Sequence, residues 1–189
     1  MDIVARAKNM MMSPRAAWEE VAAEPVDVAR LYTGYILPLA AIPPIATLIG
    51  QQIFFPAITI GAAIKGMVAF YALSLTMVYV LGWIASKLGA MFGGREDAEA
   101  GLKLVAYSST AVWLGGVYHL YPSFWIIGLI AAIYSVFLFF IGAPLVLGVP
   151  EGRRVGYMVA MIVPAIVTNV ITVILTRGVM GFSITSGMM

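Results

Sequence analysis

The stretch FWIIGLIAAIYSVFLFFIGAPLVL, residues 124–147, contains no Asp, Glu, Lys, Arg or His. A helix rises about 1.5 Å per residue, so roughly 20 apolar residues cross the ~30 Å hydrocarbon layer of a bilayer. This run therefore reads as a membrane-spanning helix. The whole chain agrees: 62% of its 189 residues are hydrophobic and 11% charged, and its mean hydropathy is +0.98, whereas soluble domains carry about 25% charged residues.

Working outward, four further spans are expected. Upstream lie Leu102 to Tyr121, Gly66 to Ser86 and Leu31 to Gly50; downstream lies Val155 to Thr176. Lys87 to Gly101 reads as a polar loop, and Gly148 to Arg154 as a second one. Pro38, Pro43 and Pro44 remove backbone donors from the first span and predict a bend or break near its outer half. Residues 51–63, interrupted by Pro56 and Gly61, read as a hairpin or interfacial loop. Tyr118, Tyr121, Phe124 and Trp125, with His119 and Pro122, have the composition of an interfacial aromatic belt.

Residues 1–30 form the one extended polar stretch. The first residues lack the apolar core and small-residue cleavage site of a secretory signal, so the N-terminus is expected to be retained. Ser13-Pro14 supplies an N-cap and an N1 proline, Trp18, Val21 and Ala22 share one face, and Pro25 closes the segment. An amphipathic helix of this kind lies on the cytoplasmic surface or packs under the bundle. The expected fold is all-α: a polytopic bundle of five transmembrane helices (31–177), preceded by this amphipathic segment (1–30) and followed by a short tail (178–189).

Orientation follows from the basic residues. Arg6, Lys8, Arg15, Arg30, Lys87, Arg95, Lys103, Arg153 and Arg154 fall on one side of five such spans, and only Lys65 and Arg177 on the other. The positive-inside rule then predicts a cytoplasmic N-terminus and an external C-terminus.

Little in the chain suggests chemistry. There is no cysteine, and the single histidine, His119, has no acidic neighbour within ten positions, so thiolate, metal and His-based catalytic sites are not expected. No cofactor and no nucleic-acid partner is implied, because the net charge is only +2 and the basic residues are dispersed. Gly93-Gly94 followed by Glu96-Asp97-Ala98-Glu99 lacks the spacing of a calcium loop or a P-loop and reads as a solvated turn. Within the spans, Ser108, Ser109 and Thr110 form a hydroxyl run, and Asn169 is expected to face the bundle and bond a neighbouring helix. Steps such as Gly82 to Ser86, Ala111 to Gly115, Gly128 to Ala132 and Gly156 to Ala160 allow close helix approach, within the molecule or between copies.

Several segments, in order, resemble the Yip1 domain family of five-span membrane proteins, especially its bacterial branch. They are Ser13-Pro14 with Trp18; Tyr35-Ile36-Leu37-Pro38-Leu39-Ala40; Gly93-Gly94; Leu102-Lys103-Leu104-Val105-Ala106-Tyr107-Ser108-Ser109-Thr110; and Tyr134-Ser135 through Gly142, Pro144 and Val149-Pro150-Glu151 to Gly156-Tyr157. The resemblance implies five helices and a cytoplasmic N-terminus. Eukaryotic members are adaptors in vesicle traffic that contact Rab-type GTPases. The acidic N-terminal region and Asp-Leu-Tyr-Gly-Pro motif of those members are absent here, so the GTPase role does not carry over.

The expectation is a non-enzymatic protein of the bacterial inner membrane, an adaptor or membrane organiser acting through lipids, membrane-protein partners or further copies of itself. Its cytoplasmic contact surface would comprise Trp18, Arg95, Glu96, Asp97, Arg153 and Arg154. The alternative is a small channel, scramblase or passive transporter, with Ser108, Ser109, Thr110 and Asn169 lining a polar path.

Overall fold

A computed structural model describes residues 2–55 and 57–181. All regular structure among the described residues is helical. Four helical stretches are long and apolar enough to cross a membrane: Val28–Phe54, Ile60–Met91, Pro122–Leu147 and Glu151–Val179.

The chain opens with two short helices rather than one. Helix α1 (Ile3–Met12) is capped by Asp2, whose carboxylate accepts from the Val4 and Ala5 amides, and α2 (Pro14–Ala23) starts on the N1 proline. Ser13 does not cap α2 through its side chain; its amide instead closes α1 on the Asn9 carbonyl at 2.8 Å. The two helices form a hairpin packed against the bundle rather than a single helix lying apart from it. Met10, Ala17, Trp18 and Val21 are all buried in the common core.

The first long stretch contains α3 (Val28–Leu31), a π-helical turn (Tyr32–Ile36), α4 (Leu37–Ala40) and α5 (Ile42–Phe54). Its breaks lie in the first half and middle, closer to its start than expected. The prolines account for them: Pro38 cannot donate to the preceding turn, and the Leu37 amide reaches back to Tyr32. From the next helix, the Tyr71 hydroxyl donates to the Leu37 carbonyl at 2.8 Å, satisfying an acceptor exposed near the break.

Helix α6 (Ile60–Met91) runs unbroken for 32 residues. It continues past the expected boundary at Ser86, so the loop shrinks to Phe92–Asp97. Gly93 and Gly94 are its stop signal. Gly94 N–H bonds Gly89 O, Gly93 N–H bonds Ala90 O, and Gly93 takes a φ of +86°. This is a Schellman ending, which needs a left-handed residue that glycine adopts without strain.

Where a third span is expected, the chain forms an interrupted segment instead of one long helix: α7 (Ala98–Ser108), α8 (Thr110–Gly115) and a 3-10 turn (Gly116–Leu120). The interruption at Ser109 coincides with the Ser108-Ser109-Thr110 run, and the Val112 amide donates across to Ser135 Oγ at 3.2 Å. A side chain inserting at a helix break is a recognised cause of such kinks. The segment occupies the centre: every residue of α7 from Ala100 to Ser108 is buried. Helix α9 (Trp125–Leu147) and α10 (Arg154–Val179) complete the bundle.

Small residues set the closest approaches. A Cβ built on Gly101 of α7 would lie 2.2 Å from the Gly82 carbonyl oxygen of α6 and 3.0 Å from the Ser86 amide. One on Gly115 would meet Ala131 Cβ at 2.4 Å, one on Gly128 the Tyr118 ring, and one on Gly156 the Phe92 ring. These small-residue steps serve packing within the molecule. Residues 182–189 of the expected tail, and Pro56, lie outside the described residues.

Candidate functional site: a charged vestibule at the loop end

The loops 92–97 and 148–153 sit together at one end of the bundle. Arg95 joins them. Its amide bonds Leu147 O at 2.8 Å and its guanidinium bonds Val146 O at 2.9 Å, so a cation satisfies the last carbonyls of α9 where the helix dipole is negative. Asp97 caps α7 by accepting from Ala100 N at 2.9 Å and lies 3.6 Å from Arg95. Glu96 pairs with Lys87. Arg154 pairs with Glu151 at 2.8 Å and lies 4.5 Å from the Phe140 ring centre, while Arg153 is exposed at the same rim, near Gly93. Five of the six residues expected on this surface are thus brought together. Trp18 is not: it has no exposed area. Its indole stacks edge-on to Tyr107 at 6.1 Å and leaves room at Gly142 for nothing larger than hydrogen.

Beside these loops the hairpin, α3 and α7 enclose a cavity of about 610 Å³. Its wall is an ion network. Arg6, 8% exposed, pairs with Glu24 and lies 3.3 Å from Glu20. Burial works against the Arg6 charge, but the hydrogen bond and proximity of Glu24 outweigh it and hold the guanidinium above its ordinary value. Lys103, 6% exposed, donates to Val21 O at 2.7 Å and Glu24 O at 2.6 Å, capping α2 as Arg95 caps α9. Asp27 accepts from the Arg30 amide at 3.0 Å and starts α3. The floor is Tyr107. Below it, the Tyr35 and Tyr107 rings are 4.5 Å apart. Thr110 donates to Tyr107 O, leaving its oxygen to accept from the Tyr35 hydroxyl; both contacts are 2.6 Å.

In the sequence, Arg6 and Lys103 inform only the orientation, and neither Glu20 nor Glu24 is singled out, although a signal for their pairing exists. Arg6 and Glu20 are equidistant from Ser13, as are Asp2 and Glu24, which is the register of a hairpin folded at Ser13-Pro14. Lys103 falls at the start of the expected third span, where its charge serves only to set the orientation.

The intramembrane polar residues do not converge. Ser109 bonds Val105 O at 2.8 Å, Thr110 belongs to the tyrosine network, and Ser108 is buried without a partner for its hydroxyl among the described residues. Ser108, Ser109 and Ser135 border a small, otherwise apolar groove of about 140 Å³ with Phe139, Met158 and Met161. Asn169, expected to face inward, is exposed on α10. The inward face of α10 at that level is taken by Thr168 and Thr172, whose hydroxyls bond carbonyls of their own helix. Among the described residues no group of three or more His, Cys, Asp or Glu could hold a metal ion. The geometry at the loop end suits recognition of charged groups.

The sequence model of the Yip1 domain matches residues 8–175. The inner membrane protein YohC of Escherichia coli strain K12 is 24% identical over 160 residues, which cover 79% of this chain and 82% of the relative. The same figures hold for YohC of E. coli O6:H1. No solved structure matches the chain.

Proposed function

From the premise that this chain belongs to the Yip1 domain family, we propose that it is a five-span, non-enzymatic membrane adaptor or organiser with a cytoplasmic N-terminus. Its recognition surface is the vestibule and the two interlocked loops. The observation that carries this is an asymmetry. The ion network and both polar loops gather at one end of a bundle whose long helices otherwise expose apolar side chains. The fifth span is the broken segment 98–120, which starts beside the loops and reaches Pro43 at Gly116. Its interruption at Ser109 leaves no continuous long helix, yet its neighbours screen the freed backbone groups, the condition under which broken helices persist in membranes. The distribution of basic residues supports the inward N-terminus. The inner-membrane location of the YohC relatives supports the same location here.

The test has two parts. Single cysteines at Glu96 and Gly152, in a chain with no native cysteine, should react with an impermeant maleimide in inside-out vesicles and stay unlabelled in intact cells. Photo-crosslinkers at Glu20, Glu96 and Arg153 should then capture discrete protein or lipid adducts, and one at Trp125, at the opposite end, should not. Labelling of Glu96→Cys in intact cells would reverse the topology; absence of adducts at all three positions would remove the adaptor role.

A further inference from the structure

The hairpin reaches deep into the bundle, and its outer face carries charged side chains beside the exposed Val4 and Met12. Helices α1 and α2 have ten residues each, so each is about 15 Å long, the depth of hydrocarbon in one leaflet. Their open ends are fixed at the loop end by Arg6 with Glu24 and by Lys103 on the Glu24 carbonyl. Their closed end lies far down α9, where the Tyr134 hydroxyl donates to Met11 O at 2.7 Å. Tyr134 is thirteen residues from Leu147, about 20 Å along the helix. Yet Lys8, Arg15 and Glu19 are exposed along this hairpin. On α10 the residues at comparable depth, Val159 (54% exposed) and Val163 (63%), are apolar.

Lipid tails suit the α10 side and do not suit the hairpin side, since charged groups at that depth are stable only beside water or other polar groups. We infer that the α1–α2 hairpin holds an indentation in the cytoplasmic leaflet, in which phospholipid headgroups descend along its outer face to the level of Ser13 and Arg15. Arg15 and Lys8 bind the lipid phosphate, and Glu19 faces the amine of a zwitterionic headgroup. The occupant is a headgroup because the exposed face carries both signs of charge, matching a phosphate and an amine on one molecule, on a surface lipids reach by lateral diffusion. This rests on the membrane-embedded, N-inside reading above, so docking is measured separately from hydration.

Docking is tested by a short bismaleimide on Met11→Cys with Tyr134→Cys in native membranes; efficient crosslinking is expected, and its failure overturns the inference by placing the hairpin elsewhere. Hydration is tested by bimane on Ser13→Cys in phosphatidylethanolamine–phosphatidylglycerol vesicles, with Ile166→Cys as the lipid-facing reference. Lipids bearing nitroxide on the headgroup should quench the Ser13 bimane at least threefold more than lipids bearing it in mid-chain, with the opposite order at Ile166. Adding Lys8→Ala and Arg15→Ala should halve the headgroup quenching. Stronger mid-chain quenching at Ser13, quenching by aqueous iodide alone, or protection from every quencher, as a protein partner or second copy would give, each overturns it.

Discussion

The two ends of the bundle are built by different physics. At the loop end, cations close helices: Arg95 on α9 and Lys103 on α2 bond exposed carbonyls, and Arg6 is held between Glu20 and Glu24. At the aromatic end, backbone approaches backbone. A Cβ on Gly50 would fall 2.1 Å from the His119 carbonyl oxygen, and one on Gly116 would strike Pro43; Phe54, Tyr121 and Phe124 stack at 5.0–5.2 Å. The His119 ring there bonds the Gly116 carbonyl at 2.9 Å and lies 4.0 Å from the Tyr118 ring, centre to centre. One end presents charged groups; the other presents shape and rings.

This contrast can be broken most severely at its shared core. Trp18→Ala should destabilise by about 3–5 kcal/mol, the cost of removing a buried large aromatic, read as a lower midpoint in detergent-to-SDS unfolding. Gly101→Ala and Gly50→Ala should each cost roughly 1–3 kcal/mol by overpacking. Gly50→Ala should also shift the fluorescence of the aromatic end, and Gly101→Ala should not. Arg6→Met, which leaves two acids beside an apolar chain, should cost about 1–2 kcal/mol, less than a fully buried pair because Glu20 and Glu24 are partly exposed. Its signature is faster proteolysis of the first 24 residues with the remainder intact. Smallest is Lys87→Ala, which removes an exposed pair with Glu96 and should change stability by no more than about 0.5 kcal/mol. Asn169→Leu sharpens the comparison differently: the adaptor reading expects no flux through liposomes from either protein, and a flux abolished by the substitution would favour the passive pathway.

Apolar runs were enough to locate four long helices to within a few residues, except that α6 overran its expected ends, because run length maps directly onto hydrocarbon thickness. The hydroxyl run at 108–110 signalled polarity but not a break, since whether a serine bends a helix depends on the partner that Ser135 supplies from α9. The exposure of Asn169 differs from the inward placement expected for a related reason: burial within a span depends on which face meets a neighbour, and α10 is apolar on nearly every side. The vestibule was hidden because its charges lie far apart in the chain. The residues that carried the family resemblance prove to be packing residues: Trp18, Tyr35, Tyr107 and Tyr157 are all in the core, and Gly142 admits Trp18. A family signature of this kind records the shape of the bundle more than what it binds.

The contacts that seat the hairpin carry a consequence for biogenesis. Lys103 grips carbonyls 79 and 82 positions earlier in the chain, and Tyr134 bonds one 123 positions earlier. At ribosomal speeds of ~5–20 residues per second, the hairpin, translated before them, waits roughly 6–25 s for the last of these anchors. The hairpin is therefore seated well after it is made, and during the wait its apolar face needs a temporary resting place, for which the membrane surface is at hand.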